Sequence, residues 1–214
     1  MSSLPEPRFP GARVHPTAIV EEGVQIGAGS SVWDHVHIRR EARIGRDCIV
    51  GGKSYIAYEV VIADRVKINA NVYICAGVTV EEMVMISAGV VFTNDRFPRA
   101  FPPDLEGVMT SAPTEQTLLT RVGRGATLGA GAIIGPGLTL GEFCMVGMGA
   151  VVTRHVAPHA LVVGNPARPI GFVCTCGERL AGQGPELTQG AEARCAACGR
   201  VHRVEGGRLR AAGV

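Results

Sequence analysis

A parallel β-helix is the fold this all-β sequence predicts, on three observations. Val or Ile stands at every sixth residue, at Val14, Val20, Ile26, Val32, Ile38, Ile44, Val50, Ile56, Ile62, Ile68, Ile74, Val80 and Ile86. Four residues after each comes a small side chain, among them Ala18, Val24, Ser30, Ala42, Cys48, Val66, Val72 and Val90. The pattern then resumes after an interruption, through Val122, Leu128, Ile134, Leu140, Val146 and Val152. A period of six fits neither a helix nor a simple strand alternation. It fits a repeat in which each hexad is one short strand with a turn, and three hexads close a triangular coil.

Each coil buries its axis only by stacking on the next, so the fold grows along one dimension. The sixth-position aliphatics fill that axis and the small residue packs beside them. Phe92 ends the first run, and residues 93–121 form a long external loop containing Thr93-Asn94-Asp95-Arg96-Phe97-Pro98-Arg99. A loop this long inside a regular solenoid is usually functional. After Val152 the solenoid closes with Val162-Val163-Gly164-Asn165-Pro166-Ala167-Arg168. Two units follow from this division: a β-helix domain over residues 1–173 and a small cysteine-rich tail over residues 174–214.

Composition supports a soluble chain whose core is aliphatic, since hydrophobic residues make up 46% but aromatics only 5%. A net charge of +2 gives no reason to expect nucleic acid or a membrane surface as partner. The opening Met1-Ser-Ser-Leu-Pro-Glu-Pro lacks a basic-then-apolar leader, and no apolar run reaches the ~18 residues of a membrane span. A cytoplasmic location is expected.

Residues three hexads apart lie above one another. One face is read as Val32–His37, Val50–Tyr55, Ile68–Tyr73 and Ile86–Val91. Its outward files carry His35, Lys53 and Asn71, then Trp33, Gly51, Asn69 and Ser87, then His37, Tyr55 and Tyr73. The face built from Val20, Ile44, Ile62 and Val80 is read as an ordinary solvated one bearing Glu21, Asp64, Glu81 and Glu82. Asn94 falls just past the corner after the first face, so the polar face and the loop are expected to converge. A trimer interface also collects His, Tyr and Trp, and that use stays open for each residue.

Several stretches carry a family resemblance. The hexads, with glycine at Gly27, Gly29, Gly129, Gly131, Gly135 and Gly137, resemble the left-handed β-helix of hexapeptide-repeat acyltransferases. Trp33-Asp-His-Val-His37-Ile38, Phe92-Thr-Asn-Asp95 with Pro98-Arg99, and Gly164-Asn-Pro-Ala-Arg168 look like those of nucleotide-sugar N-acetyltransferases. The likeness is to enzymes acetylating UDP-2-acetamido-3-amino-glucuronate and to the related dTDP-3-amino-sugar N-acetyltransferases, and it covers roughly residues 13–173. It implies left-handedness, a homotrimer with active sites between subunits, acetyl-CoA as donor and a nucleotide-linked amino sugar as acceptor. It places Asn94 beside the reacting amine and assigns Gly164, Pro166, Ala167 and Arg168 to coenzyme A. Gly129, Gly131, Gly147 and Gly149 resemble the turns along which the pantetheine arm runs. Lys53, Tyr55, Asn69, Asn71, Asp95 and Arg99 then fall to the sugar nucleotide. The chain departs from the uronate-type pattern at Gly52-Lys53 and at Asn69-Ala70-Asn71, so the donor site carries over better than the acceptor site.

Chemically, the reaction implied is direct attack of a neutral amine on the thioester carbonyl, without an acyl-enzyme. Cys48 and Cys144 occupy small inward positions, where thiols act as core hydrophobes. Asn94 is no base, so it orients the amine or stabilises charge. His35 is the candidate general base, with proton capture by the departing thiolate as the alternative.

Cys174-Thr-Cys176 and Cys195-Ala-Ala-Cys198 form two paired-cysteine knuckles. Four thiolates can close a structural Zn2+ site of zinc-ribbon type, with His202 as a substitute ligand. Disulfides are the other use of these cysteines, less suited to a reducing compartment. Three other functions compete. A carbonic anhydrase on this fold needs three converging histidines, yet His35 and His37 share one strand and His15 lies in another file. A non-catalytic assembly protein would need neither the Asn94 loop nor the Arg168 segment. An acyltransferase acting on another amine metabolite, or with a donor other than acetyl, fits the same residues.

Overall fold

The computed structural model describes residues 8–110, 112–181, 189–206 and 208–211. The N-terminal heptapeptide, on which the expectation of no leader falls, and part of the cysteine tail lie outside them. Among the described residues there is no α-helix. Among those residues no helix is long and apolar enough to cross a membrane.

Two-residue strands fall in turn on three parallel sheets, forming a β-solenoid. The first sheet begins at Arg13–Val14 and climbs through Ser31–Val32, Ile49–Val50, Lys67–Ile68, Met85–Ile86, Thr127–Leu128 and Met145–Val146. The second runs from Ile19–Val20 to Val151–Val152, and the third from Gln25–Ile26 to Thr139–Leu140. Strands pair 18 residues apart, as in Ile68↔Ile86. Across the loop the interval becomes 42, as in Ile86↔Leu128, without loss of register.

The sixth-position aliphatics point inward. Ile38, Ile56, Ile74, Ile86, Leu128, Ile134 and Leu140 are fully buried, each adding about 1.5–3 kcal/mol of apolar transfer. Their small companions are buried too, and the polar ones are satisfied by backbone. Ser30 Oγ accepts from the Cys48 N–H at 2.9 Å and donates to Gly45 O at 2.8 Å. Ser54 Oγ does the same between Val72 N and Asn69 O. Three residues past each aliphatic the backbone turns left-handed, at His35, Lys53 and Asn71 among others. That conformation is uncommon outside glycine, and here the stacked turns over-determine it: the Lys53 N–H donates to Asp34 O and the Asn71 N–H to Gly52 O.

One reading of the faces needs correction. Val20 pairs with Ile38, not with the Ile44, Ile62 and Val80 ladder. Glu21 therefore belongs to the second sheet, beneath His37 and Arg39. Ile44 lies four hexads above Val20, and only multiples of three hexads share a face.

The solenoid ends where Ala160–Val163 pairs with Met145–Val146 and turns back antiparallel as Arg168–Phe172. Hydrogen bonding continues past that strand through a Val173↔Arg179 bridge, so the first cysteine knuckle is a hairpin on the end of the solenoid. A three-stranded antiparallel sheet, Glu192–Arg194, Val201–Glu205 and Arg208–Ala211, completes the tail.

Candidate functional site

The corner between the first and second sheets carries His35, Lys53 and Asn71 in one vertical file. Each stacked turn donates its N–H to the turn below, and the file continues upward as Gly89, Gly131 and Gly149. Three of the predicted sugar residues, Lys53, Asn69 and Asn71, and two of the predicted coenzyme glycines thus share one corner. Asn69 lies half-buried on it, and Lys53 and Asn71 are exposed.

The four solenoid glycines differ in what requires them. A Cβ on Gly129 would lie 2.6 Å from Met148 N, and one on Gly147 would lie 2.7 Å from Val163 Cγ1. Close stacking of the coils accounts for both. Gly131 and Gly149 have φ of +68° and +66° and nothing within 4 Å of a Cβ. These two leave an open backbone strip on the surface, suited to a thin ligand.

The second sheet spans from this corner to the next and carries a polar cluster. Tyr55 and Tyr73 stack at 5.1 Å between centroids, and His37 meets Tyr55 edge-on at 5.4 Å. Arg39 Nη1 donates to Tyr55 Oη at 2.6 Å, a second guanidinium nitrogen bonds Tyr58 Oη, and Glu21 takes His37 Nε2 at 2.9 Å and forms an ion pair with the Arg39 guanidinium. Burial pushes the Glu21 carboxyl up, but the Arg40 backbone N–H, His37 and Arg39 outweigh it and hold the group below its usual range. Tyr55, read as a sugar contact, is committed to this cluster. Tyr73, 43% exposed, is the more available ring.

Asn94 sits on the far corner, at the other edge of the second sheet. Thr93 pins it: the Thr93 N–H donates to Ile134 O at 3.0 Å, and Oγ1 donates to the same oxygen at 3.2 Å. Asp95 lies close enough to Cys75 for its charge to act on that thiol, whose pKa burial, aided by Asp95, pushes up to about 12. Arg99 is exposed and donates to Pro98 O. The expected convergence of face and loop is therefore partial. The loop residues Asn94, Asp95 and Arg99 occupy one corner, and Lys53, Asn69 and Asn71 the other. His35 stands three coils below the level of Asn94, about 14 Å at ~4.8 Å per strand spacing, and around the corner. One chain does not bring the two together.

Two coils above Asn94, in the same file, stands Arg154. With His155, Val152, Ala167, Arg168 and Phe172 it lines a cavity of about 260 Å³. Arg168 Nη1 donates only to its own residue's neighbour, Ala167 O, at 2.9 Å. Gly164, Pro166 and Ala167 form the turn that places Arg168 there, and the site is cationic and open, as a phosphate group requires. Arg154 and His155 were missed from sequence because the loop changes the stacking interval.

No thiol is set up as a nucleophile in the solenoid. Burial raises Cys48, and it raises Cys144 to about 12. In the tail, the four sulfurs of Cys174, Cys176, Cys195 and Cys198 all lie within 4.8 Å of one another, and no disulfide joins them. His202 is not in that group; it is fully buried and packs edge-on against His159 at 5.2 Å.

His159 stacks on Phe143 and its Nδ1 bonds Val173 O at 2.9 Å. Burial pushes its pKa down to about 4, the Val173 carbonyl resists, and His202 adds to the lowering. Unfolded, it titrates near its ordinary 6.5, so between 6.5 and about 4 only the unfolded chain binds the proton. Its contribution is complete above that window and is lost as pH falls through it. We expect this residue to cost on the order of 2 kcal/mol of stability between about pH 7.5 and about pH 5. Urea unfolding of His159→Asn, which keeps a donor and tolerates the left-handed backbone at φ +61°, checks this by a shallower pH slope than the parent.

Comparison with known proteins agrees with the repeat. Residues 41–76 and 120–154 match the hexapeptide repeat of succinyl-transferase. A dTDP-3-amino-3,6-dideoxy-alpha-D-galactopyranose 3-N-acetyltransferase from Aneurinibacillus thermoaerophilus is 46% identical over 61 residues, 28% of this chain and 32% of that protein. The acetyltransferase domain of PglB from Neisseria gonorrhoeae, solved with acetyl coenzyme A, superposes at a TM-score of 0.51 with 21% identity. That match covers 74% of this chain and 57% of the other. AntD, an N-acyltransferase from Bacillus cereus solved with dTDP and coenzyme A, gives a TM-score of 0.50 at 17% identity over 81% of this chain and 92% of that one. The chain spans less than half the length of the curated relatives it matches. In its six-residue repeat and its three-sheeted solenoid the chain resembles the hexapeptide-repeat proteins, and the family match covers about a third of its length.

Proposed function

We propose that the protein is an acetyl-CoA-dependent N-acetyltransferase acting on the amine of a nucleotide-linked amino sugar. One observation carries the reading: the Asn94 loop and the cationic cavity of Arg154 and Arg168 lie on one corner of the prism, two coils apart. A donor anchored by its phosphates in that cavity has its thioester arm directed along the solenoid toward Asn94. The 46% identity with a dTDP-3-amino-sugar 3-N-acetyltransferase supports the acceptor class.

In this reading the neutral amine, oriented by Asn94, attacks the thioester carbonyl. The N–C bond forms, the C–S bond breaks, and the ammonium proton passes to the departing thiolate. The raised thiols of Cys48, Cys75 and Cys144 favour direct transfer over an acyl-enzyme. His35 keeps its distance from Asn94 even between copies, because a threefold axis parallel to the solenoid preserves height. We therefore assign the proton to the thiolate rather than to His35.

A homotrimer fits the same reading, since a second copy would bring the open Gly131–Gly149 corner to face the Asn94 corner of the first. The outward file of the second sheet supports it: Tyr73, Val91 and Ile133 are exposed in succession, a run of apolar surface that an interface would cover. Ile133→Glu is expected to shift the protein from trimer to monomer in sedimentation velocity with the β-sheet circular dichroism unchanged. A variant that stays trimeric would place the interface elsewhere. The reading assigns the protein to the cytoplasm, where thiols stay reduced, and takes the tail as a structural Zn2+ module apart from the chemistry.

Incubation with acetyl-CoA and a panel of UDP- and dTDP-amino sugars tests the whole. Thiol release with a product of the acetylated mass supports it. Coenzyme binding without turnover moves the acceptor outside nucleotide sugars, and no coenzyme binding overturns the enzyme reading.

A further inference from the structure

We propose that one zinc ion is held by the thiolates of Cys174, Cys176, Cys195 and Cys198, by none of the histidines, and that this ion ties the tail sheet to the end of the solenoid. The inference rests on the reading of the tail as a zinc module and is independent of the transfer chemistry.

Sulfur spacing selects the ligand. Cys174 Sγ lies 3.5 Å from Cys198 Sγ, and Cys176 Sγ lies 3.6 Å from Cys195 Sγ. A disulfide needs about 2.05 Å. A zinc–thiolate tetrahedron with bonds of about 2.3 Å has edges near 3.8 Å, which the cluster matches. The two crossed pairs join one knuckle to the other rather than closing each on itself.

Each knuckle is a preformed turn. In the first, the Cys174 N–H donates to Glu178 O and the Gly177 N–H to Cys174 O, both at 2.8 Å. In the second, the Cys195 N–H donates to Arg200 O at 2.8 Å and the Gly199 N–H to Cys195 O at 2.9 Å. A left-handed glycine follows the second cysteine of each, Gly177 at φ +92° and Gly199 at +73°. The first knuckle, although one residue shorter, therefore presents its sulfurs in the same way. Cys174 and Cys195 are buried, while Cys176 and Cys198 face solvent and leave a path for the ion.

The two halves of the ligand set come from different bodies. Cys174 and Cys176 sit on the hairpin that the Val173↔Arg179 bridge and the Leu180 N–H to Phe172 O bond make part of the solenoid's end. Cys195 and Cys198 sit on the separate sheet of Glu192–Arg194, Val201–Glu205 and Arg208–Ala211. Apart from the sulfurs, that sheet is held by the His202–His159 ring contact, by Arg200 Nη1 donating to Thr175 Oγ1 at 2.7 Å, and by a few buried side chains such as Ala193, Val204 and Leu209. So small a core does not fold alone without a staple. Between the sheet and the solenoid lies a cavity of about 420 Å³, with Arg121, Arg124 and Phe143 on one wall and Leu209 and Arg210 on the other. That cavity exists only while the tail is docked.

The test uses the full chain. Protein purified without chelator should carry about one zinc per chain; reduced, metal-free protein would overturn the zinc module itself. Cobalt substituted for zinc should give the visible bands and thiolate charge transfer of a tetrahedral all-sulfur site. Those bands should persist in His202→Asn and weaken more than about tenfold in Cys176→Ser at equal metal. Bands lost from His202→Asn but kept in Cys176→Ser would overturn the ligand set while leaving a zinc module. Hydrogen exchange on the parent protein reads the tie without any variant. Chelation should abolish protection at Val201–Glu205 and leave Arg13–Val14 through Val151–Val152 unchanged, whereas protection surviving metal removal would overturn the tie.

Discussion

Asn94→Ala is expected to lower kcat for acetyl transfer by about 10²–10³-fold, while the Kd for acetyl-CoA changes little. The magnitude is that of removing one preorganised hydrogen-bonding group from the reacting centre. The separation of the two constants follows from where the side chain sits. Its neighbour Thr93 is fixed to Ile134 O by both its backbone and its hydroxyl, so shortening residue 94 leaves the loop's anchor in place. The donor's proposed phosphate site lies two coils higher and uses other residues. A group that only orients the amine contributes when the bond forms and little when the donor binds, and such a loss falls on kcat. Isothermal titration with coenzyme A, beside steady-state rates, measures both. Equal losses in kcat and affinity would make Asn94 a structural residue of the corner.

How far the sequence reached can be judged from particular residues. The hexads located the large axial side chains through Val152, because a period of six has one inward position for a large aliphatic and one for a small companion, and burial of Ile38, Ile74 or Leu140 leaves no alternative. Counting by eighteen predicted the His37, Tyr55 and Tyr73 file, and their rings do meet. The same counting failed for Val20, which was grouped with Ile44 across four hexads instead of three. It does not carry across the loop, where partners lie 42 residues apart. Arg154 consequently went unnoticed above Asn94. The sequence reads Glu21 as a solvated charge and does not single out Arg39 and Tyr58, for another reason. Their hydrogen bonds depend on side-chain reach across a corner, which periodicity does not encode. The glycines show the limit most plainly. Gly129 and Gly131 are two residues apart in one turn, yet stacking demands the first and the second opens onto solvent.

Arg154→Ala and Arg168→Ala are each expected to raise the KM for acetyl-CoA by about 10–100-fold with kcat nearly unchanged. Each guanidinium would lose charge-assisted hydrogen bonds worth about 1.5–3 kcal/mol, in a cavity whose other walls are His155 and the apolar Val152, Ala167 and Phe172. Neither arginine has a carboxylate partner among the described ion pairs, so their removal leaves no buried counter-charge behind. A thioester that lacks the nucleotide phosphates separates recognition from any effect on the fold. With acetyl-pantetheine as donor, parent and variants should turn over alike, because nothing in that molecule reaches the cavity. Raising the ionic strength should narrow the gap with acetyl-CoA, since the interaction is between exposed charges. Variants that lose both donors equally would show that the two arginines shape the end of the solenoid. A double variant no worse than either single one would show that the phosphates sit elsewhere, and the open Gly131–Gly149 corner would then become the place to look for them.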